Sequence, residues 1–367
     1  MLTKKGNVVE TNLTTTAEPE STTTKEAVWI LTGSMNSARA YHAQVTLKNG
    51  NVLVTGGTIN TIKTALSSAE MYDPSTGLWT TTGKMNTARF SHTASILTDG
   101  NVLVAGGTPD GETRLSSAEM YNPSTGLWTI ISNMNTARLF HTASILMNGD
   151  VLVAGGIGTS GPLSSTEVYN PSTGLWTITG IMNTIRLHHT QVTLANGNVL
   201  VAGGIFGSSS AEMYNPSTGF WTITGTMSTA RYYHTASILT NGYVLVAGGI
   251  SISDQFPLSS AEVYNPSTRL WTANITMNTA RVFHTQVTLT NGNVLFAGGT
   301  ADDITGNSST ALSSAEVYNP FTGLWTANIT MSTARVFHTQ VTLINGNVLF
   351  AGGFNGSTIL SSAEIYG

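Results

Sequence analysis

Seven tryptophans divide this chain into repeated units. From each tryptophan to the first glycine of the next Gly-Gly pair is always 27 residues, whereas the interval between successive tryptophans varies from 45 to 54. All variation in length therefore lies between a Gly-Gly pair and the next tryptophan. A period close to 49 that runs through nearly all of the 367 residues indicates one repeat domain rather than several unrelated ones. The tryptophans are Trp29, Trp79, Trp128, Trp176, Trp221, Trp271 and Trp325.

Each unit contains four segments typical of β-strands. The first reads HTASIL or HTQVTL, the second is an unbroken apolar run such as NVLVAGG, the third is AEMY or AEVY, and the fourth carries the tryptophan. An Asn-Gly or Asp-Gly turn joins the first two segments, and Asn-Pro-Ser-Thr-Gly joins the last two. Each unit is therefore predicted to be a four-stranded antiparallel sheet.

One such sheet cannot bury both faces alone, so the seven sheets are predicted to stack in a closed ring, an all-β seven-bladed propeller. The last unit ends after its third strand at Tyr366, and the first tryptophan precedes the first complete unit. We therefore expect the segment Ala27–Thr32 to supply the missing strand of the last blade. Residues 28–367 form the predicted propeller, and the Thr- and Glu-rich residues 1–27 are predicted to be a disordered tail or linker.

The combination of a double glycine after a buried strand, a tyrosine before a turn and a tryptophan shortly after it resembles the kelch repeat. All seven copies in residues 28–367 preserve it. The resemblance implies a propeller of the kelch and galactose-oxidase type, used chiefly for protein–protein binding and occasionally for enzymes. Galactose oxidase needs a cysteine joined to a tyrosine beside copper, and this chain has no cysteine. We therefore expect no catalytic residues, no metal and no cofactor.

Composition narrows the classes of partner. The net charge is −4 with 9% charged residues, which gives no basic patch for nucleic acid. No apolar run is long enough to span a bilayer, so we expect a soluble monomer without membrane insertion. No signal peptide is recognisable in this chain. The interpretation that it is a fragment of a larger or secreted protein stays open, and so does the compartment.

Charged residues recur once per unit. Seven of the nine arginines stand three residues before a repeated histidine, and each unit also has one glutamate at the start of its third strand. A residue present sevenfold is more typical of a scaffold than of an asymmetric site. We expect each arginine to pair with the glutamate of its unit, and the alternative is a ring of arginines that binds an anionic ligand. The recurring tryptophans and tyrosines are likewise expected to pack between blades.

Binding is expected where the units differ, because variable loops on a rigid scaffold commonly carry recognition. The segments between Gly-Gly and the third strand have lengths of 9, 8, 7, 4, 9, 13 and 7 residues. In an antiparallel meander these loops share one face with the connection from the fourth strand to the next first strand. Candidate binding residues on this face are Tyr41, Lys63, Phe90, Asp110, Glu112, Arg114, Phe140, His188, Phe206, Tyr232, Tyr233, Asp254, Phe256, Phe283, Asp302, Asp303, Phe337 and Phe354.

These observations favour a non-enzymatic interaction scaffold that binds a protein or peptide partner on the variable-loop face. The alternative is a glycan-binding or carbohydrate-active propeller, related to galactose oxidase but without its copper site. The Asp302–Asn307 stretch does not follow the spacing of an EF-hand and is interpreted as a solvated loop.

Overall fold

The structure is a computed structural model that describes residues 27–60, 64–302 and 310–367, without the side chains of residues 274, 327 and 328. The predicted tail over residues 1–27 lies outside these ranges except for Ala27. The described residues contain no helix that is long and apolar enough to cross a membrane.

The described chain is built from short antiparallel strands. The first strand and blade 1 are β1 (Trp29–Leu31), β2 (Ala43–Thr46), β3 (Val52–Thr55), β4 (Ala69–Asp73) and β5 (Leu78–Thr81). Blade 2 is β6 (Thr93–Ile96), β7 (Val102–Ala105), β8 (Ala118–Asn122) and β9 (Leu127–Ile130). Blade 3 and its loop hairpin are β10 (Thr142–Ile145), β11 (Val151–Ala154), β12 (Ile157–Gly158), β13 (Gly161–Pro162), β14 (Thr166–Asn170) and β15 (Leu175–Ile178).

The remaining blades follow the same order. Blade 4 is β16 (Thr190–Thr193), β17 (Val199–Ala202), β18 (Ala211–Asn215) and β19 (Phe220–Ile223). Blade 5, with a short two-stranded pairing beside it, is β20 (Arg231–Tyr232), β21 (Thr235–Ile238), β22 (Val244–Ala247), β23 (Ile250–Ser251), β24 (Ser260–Asn265) and β25 (Leu270–Thr276). Blade 6 is β26 (Thr285–Thr288), β27 (Val294–Ala297), β28 (Ser314–Asn319) and β29 (Leu324–Thr330), and blade 7 begins with β30 (Thr339–Thr342), β31 (Val348–Ala351) and β32 (Ala363–Tyr366).

Seven four-stranded sheets form the ring, and the predicted closure is confirmed. The seventh sheet has the order β1-β32-β31-β30, so the N-terminal strand completes the last blade. Trp29 lies opposite Tyr366 and Leu31 lies opposite Glu364 in this pairing. The protein is therefore an all-β seven-bladed propeller of four-stranded antiparallel blades.

The core lies between neighbouring blades, which explains why the second strand of each blade is apolar without interruption. In β3, Val52 and Val54 pack against Leu349 of blade 7. Leu53, between them, points to the other side and packs with Val102 of blade 2. Successive strand residues face opposite sides of a sheet, so both sides of this strand are buried against a neighbour.

The glycine pair marks the closest approach of two blades. A Cβ atom on Gly56 would lie 2.3 Å from the carbonyl oxygen of Arg89 in the next blade, and the backbone φ of Gly56 is +60°. The adjacent Gly57 donates its N–H to that same carbonyl over 2.9 Å. Only glycine combines this backbone conformation with the absence of a side chain at the contact. The double glycine is therefore a blade-to-blade joint.

Tyrosine and tryptophan pack between blades, as predicted. In blade 1 the rings of Tyr72 and Trp79 are 5.0 Å apart. The indole N–H of Trp79 donates to the carbonyl of Gly33 over 2.8 Å, and the Tyr72 hydroxyl is 2.7 Å from the Thr32 hydroxyl. Thr32 and Gly33 follow the outer strand of blade 7. These contacts therefore fasten the outer edges of adjacent blades.

Candidate functional site

Seven buried ion pairs fix the segment that leads into each first strand. In each blade the repeated arginine contacts the glutamate of the third strand, with Nη2–Oε1 distances of 2.7–3.1 Å. Arg39 in addition donates to the carbonyl oxygen of Gly56 over 2.7 Å, and Glu70 accepts the backbone N–H groups of Asn36 and Ser37. The predicted arginine–glutamate pairing is confirmed.

These arginines are not available to a ligand, because all seven are 0% exposed. Burial lowers the pKa of each arginine, and its glutamate opposes that effect. The alternative of an arginine ring for an anionic ligand is wrong, since each guanidinium is already bonded within its own blade.

Two residues beyond each arginine, the chain enters the left-handed backbone region. The residue there has a φ between 53° and 57° in every blade. For a bulky side chain this conformation costs on the order of 1 kcal/mol or more, and it persists only where surrounding contacts impose it. We name these seven residues the collar: Tyr41, Ser91, Phe140, His188, Tyr233, Phe283 and Phe337.

Six collar residues carry rings, and consecutive rings contact one another around the propeller axis. Ring centroids are 3.9–4.5 Å apart along the series from Phe140 through His188, Tyr233, Phe283 and Phe337 to Tyr41. The Tyr41 and Phe337 rings are stacked at an interplanar angle of 24°, and the other pairs are inclined at 38–64°. The six side chains therefore form an unbroken series of ring contacts from Phe140 to Tyr41.

The collar is interrupted at Ser91 in blade 2. Here the rings of Tyr41 and Phe140 have no collar ring between them, and a cavity of about 280 Å³ opens. It is lined by these two residues, Ser91, other collar rings and the repeated histidines His42, His92 and His141. Beyond the collar the inner strands line a second cavity of about 420 Å³ with threonine and glutamine side chains such as Thr190 and Gln191. The aromatic cavity thus lies at one end of a polar axial channel.

No collar side chain is charged near neutral pH. Burial lowers the pKa of His188 to about 3. Burial also raises the pKa of the Tyr41 and Tyr233 hydroxyls well above the ordinary value. The Tyr233 hydroxyl and His188 Nε2 form a hydrogen bond of 2.9 Å. The collar is therefore a neutral aromatic surface.

The variable loops surround this collar. The first residue of a loop pairs with the residue that precedes the collar, as Thr58 does with Ala40 and Phe354 with Val336. The collar and the variable loops consequently belong to one face, which we call the variable face. The binding residues predicted from the sequence include all six collar rings, within a broader set of loop residues.

The other candidates differ in exposure. Phe206 and Phe256 are 52% and 58% exposed. Phe90 and Tyr232 are instead buried, at 3% and 6% exposure, and lie behind the collar, so they support it and offer no surface. Asp110, Glu112 and Asp254 are exposed, Arg114, Asp302 and Phe354 are half-buried, and Lys63 and Asp303 lie outside the described residues.

The carboxylates of the variable loops accept hydrogen bonds from their own loops. Asp110 accepts the backbone N–H groups of Glu112 and Thr113, and the hydrogen bonds from Thr113 contribute most to lowering its pKa to about 2. Asp302 accepts the backbone N–H of Thr310. Among the described residues, no three His, Cys, Asp or Glu side chains come together in a group that could hold a metal ion.

Sequence reasoning missed Ser91 and the contacts between successive collar rings. The available signal was the residue directly before each repeated histidine, which has a ring in six of seven units. That signal does not show that the six rings touch one another, because the blades that carry them are about 49 residues apart in sequence.

Three segments of the chain match the family model of the Kelch motif, at residues 39–86, 89–135 and 138–183. No curated protein matches the chain. Among solved structures, the fold is similar to a fungal alcohol oxidase of the AA5 family in complex with copper. The TM-score is 0.75 at 19% sequence identity, over 92% of this chain and 76% of the oxidase chain.

A similarity at this level of identity concerns the fold, and the residues present here do not fit a copper site. The chain has no cysteine. Its repeated histidines stand on separate blades, and the Nε2 atom of each is engaged by a threonine hydroxyl at 2.6–3.1 Å. Sequence motifs and architecture together identify the chain as a seven-bladed β-propeller that contains Kelch-motif repeats over residues 39–183.

Proposed function

We propose that this propeller is a non-enzymatic scaffold that binds a protein or peptide partner on its variable face. The observation that carries the proposal is the neutral aromatic collar at the centre of a face bordered by loops of unequal length. Aromatic side chains held in fixed positions are typical anchors of protein interfaces, because they offer large contact area at a low cost in conformational entropy.

The rigidity of the face supports the same function. Every collar residue lies two positions after a buried arginine that is bonded to its own blade. A partner that binds such a preorganised surface does not have to order it first. Loops that differ in length around a constant scaffold then provide the selectivity.

The charge of the loops indicates the chemistry of the partner. Among the described residues of the variable loops, Asp110, Glu112, Asp254 and Asp302 are acidic and Arg114 is basic, so four negative charges and one positive charge give −3. Complementary charges steer association and fix orientation. A peptide with an aromatic residue and basic neighbours therefore fits this face.

Peptide display tests the proposal. A random peptide library is selected on the immobilised propeller, and binders are measured against two matched variants. Phe256→Ser removes an exposed ring of the variable face, and Phe321→Ser removes a ring that is 78% exposed in the turn between β28 and β29, on the opposite face. The proposal predicts that selected peptides lose affinity for Phe256→Ser and bind Phe321→Ser normally.

The reverse pattern would place recognition on the opposite face. A glycan array with the same protein covers the alternative of a carbohydrate-binding propeller. Reproducible glycan binding without any selectable peptide would overturn the proposal in favour of that alternative.

A further inference from the structure

The collar has seven positions and six rings, and the missing ring leaves a defined space. Tyr41 and Phe140 stand on the two sides of this space, and each contacts a collar ring on its other side, with centroids 4.2 Å and 4.3 Å away. The backbone at Ser91 is not different from its neighbours, since its φ is 53° like that of Tyr41. The place of a seventh ring is therefore kept by the fold while the ring itself is absent from the sequence.

We call this space the Ser91 slot. It is part of the cavity of about 280 Å³ that Tyr41, Ser91 and Phe140 line together with other collar rings and the repeated histidines His42, His92 and His141. The Ser91 hydroxyl is shielded from solvent and has no hydrogen-bond partner within the described part of the chain. A buried hydroxyl without a partner costs free energy, and a change of the Ser91 side chain to another rotamer would turn it toward the slot, where a polar group on a bound molecule would give it a partner.

We propose that the Ser91 slot binds one aromatic side chain of the partner, which takes the place of the seventh ring in the collar. This rests on the proposed function, since it identifies the anchor that the partner inserts. A ring in the slot would have a collar ring on each side, as four of the six collar rings already have. A tyrosine-like ring that enters with its hydroxyl first would meet the hydroxyl of Ser91.

The lining of the slot favours a neutral aromatic guest over a charged one. The flanking rings of Tyr41 and Phe140 carry no charge, and each already contacts another collar ring. Arg39, Arg89 and Arg138, the nearest strongly charged groups in the sequence, are each bonded to a glutamate and buried. The slot is therefore neutral and bordered by rings, which suits a neutral aromatic guest.

Small aromatic probes test the slot without knowledge of the partner. Binding of p-cresol and of toluene is measured by ligand-observed NMR and by the shift in melting temperature. For ligands of this size we expect a dissociation constant on the order of 1 mM, one molecule per propeller and tighter binding of p-cresol than of toluene.

Variants at the slot give the decisive comparison. Ser91→Phe fills the slot with the residue found at three other collar positions, so we expect a folded protein whose affinity for p-cresol falls at least about tenfold. Ser91→Ala keeps the slot open and removes the hydroxyl, so toluene should bind as before and the preference for p-cresol should disappear.

Two results would overturn the inference: p-cresol that does not bind the propeller up to its solubility limit, or p-cresol that binds Ser91→Phe as well as the unchanged protein. If Ser91→Phe does not fold, Ser91→His, which copies blade 4, serves as the filled variant, and the toluene comparison in Ser91→Ala stands by itself. Display-selected peptides that bind the variable face but ignore Ser91→Phe would contradict the slot and leave the scaffold function intact.

Discussion

His92 of blade 2 forms a hydrogen bond of 2.9 Å between its Nε2 atom and the hydroxyl of Thr55 in blade 1. In the other six blades the threonine that binds the repeated histidine directly follows the histidine of the preceding blade, as in the pair His141 and Thr93. Blade 1 has Ala43 at that position, and Thr55 lies directly opposite Ala43 in the neighbouring strand. The corresponding pair in blade 2 is Thr93 opposite Ala105. In blade 1 the threonine and the alanine have thus changed places across the strand pair, and a threonine hydroxyl still binds the histidine of the next blade.

This exchange predicts a compensating pair of substitutions. Thr55→Ala should lower the free energy of unfolding by about 1–3 kcal/mol, because it leaves a buried imidazole nitrogen without a partner. Adding Ala43→Thr should restore most of that loss by rebuilding the arrangement of the other blades. Urea unfolding of the two single variants and the double variant measures the coupling, and simple additivity of the single effects would contradict the exchange.

Breaking a buried ion pair should lower the free energy of unfolding more than losing the Thr55 hydroxyl does. Arg138 Nη2 and Glu167 Oε1 are 2.8 Å apart, and both side chains are buried. Arg138→Ala should destabilise the fold by about 3–5 kcal/mol, because the carboxylate remains buried without its partner. The control is Arg269→Ala, a change at an exposed arginine, which should shift the unfolding free energy by about 0.5 kcal/mol or less. Equal urea midpoints for the two variants would show that the pair does not hold blade 3.

Much of the architecture was predictable because short sequence motifs within each repeat determine it. The turn residues, the apolar second strand and the glycine pair report conformations and contacts that recur in every blade, and the arginine and glutamate share one end of the sheet by strand direction alone. The collar was not predictable in this way. A left-handed backbone at Phe140 or Phe337 redirects the side chain toward the axis, and bulky residues give no sequence signal for that conformation. Phe90, which directly precedes the collar residue Ser91, is buried because the turn directs adjacent side chains to different sides.

The histidines predict a steep loss of stability in acid. Burial lowers the pKa of all eight below the ordinary value of 6.5, to about 3 for His188 and His284. A histidine of this kind takes up a proton on unfolding whenever the pH lies between its folded and unfolded values. The stability that such a histidine contributes is therefore fully present above its pKa in the unfolded chain. As the pH falls below that pKa, the free energy of unfolding decreases by about 1.4 kcal/mol per pH unit for each histidine.

Because all eight shifts have the same direction, the free energy of unfolding should fall steadily as the pH drops below about 6.5. The measurement is the urea midpoint as a function of pH between 4.5 and 8. His188→Phe is the control, because it places in blade 4 the ring found in other blades and should reduce the proton uptake on unfolding by one. A urea midpoint that stays constant from pH 7 to pH 4.5 would contradict the neutral buried state of these imidazoles.

The N-terminal strand predicts how the ring fails. Trp29 contacts two rings of blade 7, with centroids 4.8 Å from Phe350 and 5.1 Å from Tyr366. Removing residues 1–26 should leave the melting temperature unchanged, because β1 remains. Removing residues 1–33 should expose the edge of β32 and the apolar surface under Trp29, and an unpaired strand edge is a site of association.

Trp29→Ala separates the side chain from the strand. We expect a loss of about 3 kcal/mol, the low end of the range for tryptophan, because Trp29 is only half-buried while its backbone pairing with β32 is retained. The truncation at Ser34 should be more damaging than this substitution and should yield dimers or aggregates on size-exclusion chromatography. A protein that begins at Ser34, stays monomeric and melts at the temperature of the full chain would show that β1 does not hold the ring closed.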